Sequence, residues 1–263
     1  MDLQLAGKRA FVSGSTRGIG YAVARSLVAE GAAVVLHGRT PEAVDDAVRR
    51  LRADVPGADV SGVAGDVADA DEVSRLVGAV GDVDILVNNV GVFEVTPFAA
   101  LTDADWRRVL DVNLMSAVRL SRQLLPGMLE RGWGRVVMVG SESGVDVPAD
   151  MIDYGVSKAA LLALANGLAK LTRGTQVTVN SILGGPTYSD GVAAAVRHVA
   201  ELQGLSEEDM KAAIAAGNTS SLVQRFLEPA ELAGLVTYLA SPLASATNGG
   251  ALRADGGRLV QVL

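Results

Sequence analysis

The chain has 263 residues, with 23 Lys and Arg against 30 Asp and Glu, which gives a formal net charge of −7. Its hydrophobic content of 49% excludes a disordered chain, and its length fits one large α/β domain. The absence of cysteine excludes disulfides, thiolate catalysis and Cys-ligated metal, and the two histidines lie too far apart in sequence to suggest a metal centre. The acidic balance argues against a nucleic-acid partner, since such proteins carry basic surfaces.

Export or membrane insertion finds no support in the sequence. The amino-terminal segment has no basic stretch followed by an apolar run, so we expect no signal peptide. The most apolar stretch, LLALANGLAKL, is too short to span a bilayer. We therefore expect a cytoplasmic protein without a membrane partner.

Short β-branched runs alternate along the chain with longer segments whose apolar residues recur every three or four positions. The runs, in chain order, are RAFVS, AVVLHG, DVSGVA, DILVNN, RVVMVG and QVTVNSI. Continuous apolar runs are typical of strands buried on both faces, and helices between them make the sheet parallel. We predict a single α/β domain over residues 1–263, with a doubly wound, Rossmann-like, seven-stranded parallel sheet in three layers.

Helix start and stop signals place the helices between these strands. The first helix is expected over Gly18–Ala29, the next after Thr40, a long one from Thr102, and another from Tyr154 to Leu171. The Ala-rich helical stretch after the sixth strand interrupts the alternation. We therefore predict that residues 186–220 are an insertion that forms a substrate loop.

The first candidate site is the glycine-rich segment SGSTRGIG, residues 13–20, between the first strand and the first helix. Glycines at 14, 18 and 20 allow a tight turn and a close approach to a pyrophosphate, which the helix N-terminus favours. This spacing differs from the commoner G-x-G-x-x-G fingerprint. Close packing alone would also explain the glycines.

The end of the second strand bears on which dinucleotide binds. Gly38 stands where an NAD site would carry an acid, Arg39 follows it, and Arg17 lies in the glycine loop. Two guanidinium groups near a 2′-phosphate favour NADP (NADPH), although NAD stays possible and both arginines also suit a solvated surface.

Two further strand ends carry candidate cofactor contacts. Asp66 after the third strand suits the adenine amino group with Val67 beside the ring, or else it caps the following helix. In the NNVG segment, the amides of Asn88 and Asn89 are expected to tie neighbouring strands together, while Gly91 leaves room for a cofactor. A purely structural role is the alternative for the NNVG segment, and it is compatible with cofactor binding there.

The candidate catalytic residues lie around the fifth strand. Tyr154 and Lys158 are four residues apart, so on a helix they share one face, where an ammonium would favour tyrosinate. Taken alone, such a pair is ordinary. Ser141 at the end of the fifth strand would hydrogen-bond a substrate oxygen, with Ser143 as a rival hydroxyl.

SGSTRGIG, NNVG, Ser141 with YGVSK, and VNSILGG occur in the order and spacing of one family. The sequence resembles a short-chain dehydrogenase/reductase of the short form, similar to 3-oxoacyl-carrier-protein reductases, over essentially its full length. The resemblance implies hydride transfer between NADP(H) and a carbonyl or secondary alcohol. It also implies that Ser141 polarises the carbonyl, Tyr154 moves the proton, Lys158 binds the nicotinamide ribose and Asn113 holds a relay water.

The resemblance also implies a homotetramer and a small-molecule substrate. The expected substrate-binding residues are Ser141 and Tyr154 and an apolar wall formed by Phe93, Val147 and Tyr188. Glu142 is an uncommon charge beside such a site and is expected to point outward, or else to disfavour anionic substrates. Gly184 replaces a usual proline, which makes contacts at that corner less defined.

The cofactor-binding residues expected from the motifs and the resemblance are Gly14, Ser15, Thr16, Arg17, Gly18, Ile19, Gly20, Arg39, Asp66, Val67, Asn88, Asn89, Gly91, Tyr154, Lys158, Gly185 and Thr187. Three alternative functions stay open at this point. They are an NAD-dependent alcohol dehydrogenase of the same family, a non-catalytic dinucleotide-binding regulator, and a related fold with non-redox chemistry.

Overall fold

A parallel sheet of seven strands lies at the centre of the structure, a computed structural model that describes residues 2–218 and 220–260. The strand order is β3-β2-β1-β4-β5-β6-β7, so the chain reverses direction across the sheet between β1 and β4. Ligands of such sheets bind at this crevice, beyond the carboxyl ends of the strands. The strands are β1 (Arg9–Val12), β2 (Ala33–Gly38), β3 (Val60–Ala64), β4 (Ile85–Asn88), β5 (Trp133–Ser141), β6 (Gln176–Gly184) and β7 (Ala251–Ala254).

Helices cover both faces of this sheet. Helices α1, α2 and α9 pack on one face and α3, α5 and α6 on the other, which gives two apolar cores separated by the strands. The helices are α1 (Gly18–Ala29), α2 (Pro41–Asp54), α3 (Ala70–Val80), α4 (Asp103–Leu110), α5 (Ser116–Glu130), α6 (Ile152–Leu171), α7 (Asp190–Gln203), α8 (Glu207–Gly217) and α9 (Pro229–Ala240). The predicted three-layer, doubly wound sheet is confirmed.

Local sequence signals set most of the helix starts. Thr40 accepts a hydrogen bond from the Ala43 amide and caps α2, while Thr102 and Asp105 form a reciprocal capping box at α4. The predicted long helix from Thr102 is interrupted by a π-helical turn over Asp111–Met115, which separates α4 from α5. Single π turns are frequent at functional sites, and this one carries Asn113.

The stretch after β6 forms the helical pair α7 and α8, which packs around its own small cluster of Val196, Ala200 and Met210. This pair lies between β6 and α9 in the chain, as the interrupted alternation indicates. Within the part of the chain that the structure describes, no helix combines the length and apolar character needed to cross a membrane.

Candidate functional site

The glycine loop is fixed to the end of β4. The Ser13 hydroxyl donates to the Val87 carbonyl and accepts from the Asn89 amide, and Asn89 Nδ2 donates to the carbonyls of Ser13 and Gly14 at 3.0 and 2.9 Å. A Cβ at Gly20 would lie 2.3 Å from the Gly14 carbonyl oxygen, so only glycine allows α1 to start this close to the loop. The predicted tie between strands through the Asn89 amide is confirmed.

A buried histidine holds the same loop from the other side. His37 Nδ1 accepts a hydrogen bond from the Gly14 amide at 3.0 Å, so the neutral ring carries its proton on Nε2, which donates to the Gly65 carbonyl at 3.0 Å. Burial lowers the pKa of His37 from its ordinary value. The Ser15 hydroxyl accepts from the His37 amide at 2.9 Å. Sequence reasoning considered His37 only as a metal ligand and missed this role.

The cations expected near the adenosine end are exposed beside the loop. Arg17 and Arg39 both lie in solvent at the ends of the glycine loop and of β2. A Cβ at Gly38 would come within 2.5 Å of Thr16 Cγ2, so a carboxylate side chain there requires Thr16 to move. Arg50 on α2 donates to the Thr16 carbonyl at 2.6 Å and adds a third cation that the sequence analysis missed.

The N-terminus of α1 holds a carboxylate from a distant part of the chain. The Gly18 amide donates to Asp190 Oδ2 at 2.6 Å, where Asp190 is the first residue of α7. Gly18 has φ of +60°, a left-handed conformation that favours glycine. The amide therefore points at an anion, as the phosphate-cradle interpretation requires, and the anion here is a side chain.

The residues after β3 are partly as expected. Asp66 is exposed and accepts from the Ala68 amide at 2.8 Å, whereas the cap of α3 is Asp69, so the capping alternative for Asp66 is wrong. The Val67 side chain is buried in the core, which leaves it no face for an adenine ring. The expectation that Val67 lies beside the adenine ring is therefore wrong.

Tyr154 and Lys158 share the inward face of α6. Lys158 Nζ lies 5.7 Å from the centroid of the Tyr154 ring and donates to the Val139 carbonyl of β5 at 2.9 Å. The Tyr154 ring meets Phe93 edge-on, with centroids 5.9 Å apart. The two predicted catalytic side chains therefore stand on the same side of α6, next to β5.

The pKa shifts at this pair differ from the expectation. Burial raises the pKa of Tyr154 to about 12, the Ser141 side chain opposes that shift, and the charge of Glu142 adds to it. Burial lowers the pKa of Lys158 to about 8. The expected lowering of the Tyr154 pKa by Lys158 is not found: burial is the largest cause of the shift, and Ser141 is the group that opposes it.

Ser141 is bonded to its chain neighbour. Its hydroxyl donates to Glu142 Oε2 at 2.6 Å and accepts from the Ser143 amide at 3.1 Å. Glu142 is half-buried and burial raises the pKa of its carboxyl. The expectation that Glu142 points outward is wrong, because the turn after β5 brings its side chain back over Ser141.

Asn113 anchors the π turn to the segment after β4. Its Nδ2 donates to the Val92 carbonyl and to the Ser157 hydroxyl, each at 2.9 Å, and its Oδ1 accepts from the Val92 amide at 2.7 Å. A Cβ at Gly91 would lie 3.3 Å from Lys158 Nζ. Asn113 thus fixes the wall next to Lys158.

Asn88 lies apart from this wall. It is buried and donates to Ser121 of α5 at 3.3 Å, so the expected tie between strands through Asn88 is wrong, and among the residues that the structure describes its Oδ1 has no hydrogen-bond partner.

A cavity of about 680 Å³ lies between the glycine loop, the end of β5 and the α7–α8 pair. Thr187, whose hydroxyl donates to the Gly185 carbonyl at 2.8 Å, lines it together with Gly185. Val147 and Tyr188 do not line this cavity: Val147 packs against Gly155, and the Tyr188 hydroxyl bonds Glu207 of α8. The remaining wall comes from Ile19, Phe93, Gly140, Ser141, Glu142, Ser143, Pro148, Met151, Tyr154, Gly184, Pro186, Ser189, Val192, Ile214, Gly217, Asn218, Ser220, Phe226, Leu232 and Arg258.

Comparison with known proteins settles the family. The family model described as short chain dehydrogenase matches residues 8–200. The chain belongs to the short-chain dehydrogenase family. An uncharacterized oxidoreductase of Bacillus subtilis, YvrD, is 44% identical over 261 residues and covers 98% of both chains. The D-beta-hydroxybutyrate dehydrogenase of Cupriavidus necator is 31% identical, over 98% of this chain and 100% of that protein.

Solved structures agree with this short-chain dehydrogenase assignment. L-sorbose reductase from Gluconobacter frateurii, complexed with NADPH and L-sorbose, superposes with a TM-score of 0.94 at 32% identity over the whole of both chains. The predicted resemblance, including the likeness to 3-oxoacyl-carrier-protein reductases, is confirmed by relatives such as the Aquifex aeolicus enzyme at 30% identity, over 98% of this chain and 99% of that protein. The chain is an NAD(P)-dependent oxidoreductase that transfers hydride to a carbonyl carbon, or from the hydroxyl-bearing carbon of the matching alcohol.

Proposed function

We propose that this short-chain dehydrogenase transfers hydride between NADP(H) and the carbonyl of a small ketone or the matching secondary alcohol, with Tyr154 as the general acid and base. One observation carries the proposal. Tyr154 and Ser141 line the same cavity as Ile19 of the glycine loop, so a substrate oxygen and a dinucleotide meet there. Reduced NADP supplies the hydride when bound, and Tyr154 supplies the proton to the carbonyl oxygen.

The other site residues have supporting roles around Tyr154. Ser141 orients the substrate oxygen, Lys158 binds the nicotinamide ribose, and Asn113 fixes the segment that faces Lys158. The chain also fits a dinucleotide: the Gly18 amide at the start of α1 points at an anion, and Gly20 lets α1 begin close to the loop. The proposed cofactor cradle comprises Gly14, Ser15, Thr16, Arg17, Gly18, Ile19, Gly20, Arg39, Asp66, Asn89, Gly91, Gly185 and Thr187, whereas Asn88 is buried against Ser121 outside it.

The choice of NADP over NAD rests on charge. Arg17 and Arg39 are exposed at the ends of the glycine loop and of β2, the region proposed for a ribose 2′-phosphate, and Arg50, which pairs with Asp46 at 3.0 Å, donates to the Thr16 carbonyl of the same loop. Gly38 leaves no carboxylate for a free 2′-hydroxyl. The L-sorbose reductase of Gluconobacter frateurii, which is similar over its whole length, is complexed with NADPH.

The substrate side of the cavity is lined by residues of the α7–α8 pair and of the segments next to it. Phe93 and Met151 face Val192 and Ile214 of the α7–α8 pair across it, which supports a substrate loop in this segment. The wall mixes apolar side chains with Ser143 and other hydroxyls, and so suits a small organic molecule.

We also propose a cytoplasmic homotetramer. An outward stripe of α6 formed by Val156, Ala163, Gly167 and Leu171 is exposed, and Leu171 is 62% exposed. These positions recur every four or seven residues, so they lie on one face of the helix. An exposed apolar face of this kind supports association with another copy.

The variant Tyr154→Phe tests the catalytic proposal, because it removes only the proton-donating hydroxyl. We expect turnover to fall by about 10²-fold or more, with NADPH affinity unchanged. Oxidation of NADPH followed at its reduced-nicotinamide absorbance, over a ketone panel, measures the first, and fluorescence titration measures the second. Tyr238→Phe, at an exposed tyrosine of α9, is the matched control. Undiminished turnover in Tyr154→Phe would remove Tyr154 from this role.

A further inference from the structure

Glu142 carries a charge on the wall of the cavity, next to the residue that receives the substrate oxygen. It lines the cavity with Ser141 and Tyr154, half-buried, at the first position of the 3-10 turn Glu142–Gly144 that follows β5. Taking a carboxylate out of water costs free energy unless it finds hydrogen-bond donors. Its Oε2 has the Ser141 hydroxyl as a donor at 2.6 Å.

This contact uses the one proton of Ser141. The Ser141 oxygen donates to Glu142 and already accepts from the Ser143 amide, so toward the cavity it offers a lone pair and no hydrogen. A ketone oxygen accepts hydrogen bonds and cannot donate one. For Ser141 to donate to a carbonyl, the hydroxyl must turn away from Glu142, and the carboxylate then needs another donor.

We propose that Glu142 selects uncharged substrates that carry a hydroxyl group beside the carbonyl, by accepting a hydrogen bond from that hydroxyl. The inference rests on the proposed function. The substrate hydroxyl takes the place of Ser141 on the carboxylate, and Ser141 is released to donate to the carbonyl oxygen next to Tyr154. One hydroxyketone therefore satisfies both groups, whereas with a simple ketone the carboxylate loses the Ser141 hydroxyl and keeps the backbone amides of Glu142 and Ser143.

The charges around the cavity agree with an uncharged substrate. A carboxylate or phosphate next to the reacting carbonyl would meet the negative charge of Glu142 at short range. Arg258 also lines the cavity, but it donates to Ser220 and lies 3.8 Å from Asp146. Its charge lowers the pKa of the Glu142 carboxyl against the larger effect of burial, but the carboxylate is the charged group in contact with Ser141.

The test compares three four-carbon substrates in steady-state reduction with NADPH: 3-hydroxy-2-butanone, 2-butanone and 2-oxobutanoate. The wild-type enzyme is expected to prefer the hydroxyketone by about tenfold or more in kcat/KM, in line with a hydrogen bond to a charged acceptor. Glu142→Gln should lower kcat/KM for the hydroxyketone and raise it for 2-butanone and 2-oxobutanoate, because Ser141 is held less strongly and the negative charge is removed. A merely structural role would move all three in the same direction.

Two further variants complete the experiment. Glu142→Asp keeps the charge on a side chain one methylene shorter, and should retain the preference in part while disfavouring 2-oxobutanoate as the wild type does. Glu130→Gln, an exposed position at the end of α5, should leave all three rates unchanged. The inference is overturned if the wild type turns over the hydroxyketone and 2-butanone equally, or if Glu142→Gln keeps the wild-type ratio. Failure of the enzyme to reduce any carbonyl compound with NADPH would instead overturn the proposed function.

Discussion

Burial acts on Tyr154 and Lys158 in the same sense, since it favours the uncharged form of each. The phenol therefore holds its proton through the neutral range, with its pKa raised to about 12, and is ready to give it to a carbonyl. The amine, with its pKa lowered to about 8, is close to losing its own. In the protein groups alone this geometry suits reduction, because the proton is on the residue that must donate it.

A pH profile follows from the Lys158 shift. Because the pKa of Lys158 is lowered to about 8, its charge is complete below that pH and is lost above it. We expect kcat/KM for ketone reduction to be flat from about pH 6 to 7.5 and to fall by about tenfold per pH unit well above 8. Lys158→Met should be less active and lack this decline. A decline with the same midpoint in Lys158→Met would assign it to another group.

The exposed guanidinium of Arg39 leads to a prediction about cofactor choice. Arg39→Asp replaces a cation near the 2′-phosphate by an acid that suits a free ribose hydroxyl, without disturbing the core. We expect the NADPH-over-NADH ratio of kcat/KM to fall by about tenfold or more. Arg122→Asp, exposed on α5, serves as the matched charge reversal elsewhere. An unchanged NADPH-over-NADH ratio in Arg39→Asp would show that Arg39 does not contribute to binding of the 2′-phosphate.

At the scale of elements, α1 and α7 are joined by the Gly18–Asp190 hydrogen bond, at the place where a pyrophosphate would bind. A negative side chain there competes with the phosphates for the same amide. Asp190→Asn removes the charge, so we expect the Kd for NADPH to fall about two- to fivefold. Fluorescence titration measures it, with Asp45→Asn on exposed α2 as control. Weaker binding in Asp190→Asn would mean that the carboxylate assists the cofactor.

Elements with strong local signals were predicted well from sequence. Helix α1 spans Gly18–Ala29 as predicted, because a glycine turn and Gly31 mark its two ends. The π turn at Asn113 was missed, since it depends on a contact with Val92 that lies far along the chain. The location of β7 was also missed: its four residues, Ala251–Ala254, alternate between exposed and half-buried and form no apolar run.

The candidate site was also predicted in part, namely where its residues belong to motifs that are local in the sequence. Ser141, Tyr154 and Phe93 line the cavity as the motif order indicated. The direction of Glu142 was not predictable, because a residue just after a strand follows the turn and not the pleat of the sheet. The direction of Tyr188 was not predicted either, because its hydroxyl bonds Glu207, which only the folded α7–α8 pair brings near.

The whole molecule is expected to assemble through α6. Static light scattering should give a mass about four times the 27.0 kDa of the chain, because the outward stripe of α6 is apolar and uncovered. Leu171→Glu should lower that mass by placing a charge in the contact. Leu202→Glu, on an exposed position of α7, is the control. A wild-type monomer would contradict the tetramer.

The imidazole of His37 joins the turns at Gly14 and Gly65, which are 51 residues apart in the chain, and it does so only while uncharged. Its pKa is lowered from the ordinary value of 6.5, so the folded chain resists the proton that the unfolded chain accepts, and the free energy of unfolding decreases as pH falls below about 6.5. A protonated ring would present two N–H groups, one of them to the N–H of Gly14. Protonation of His37 in the folded chain would therefore loosen the turns at Gly14 and Gly65 together, and the glycine loop would lose its support from β2.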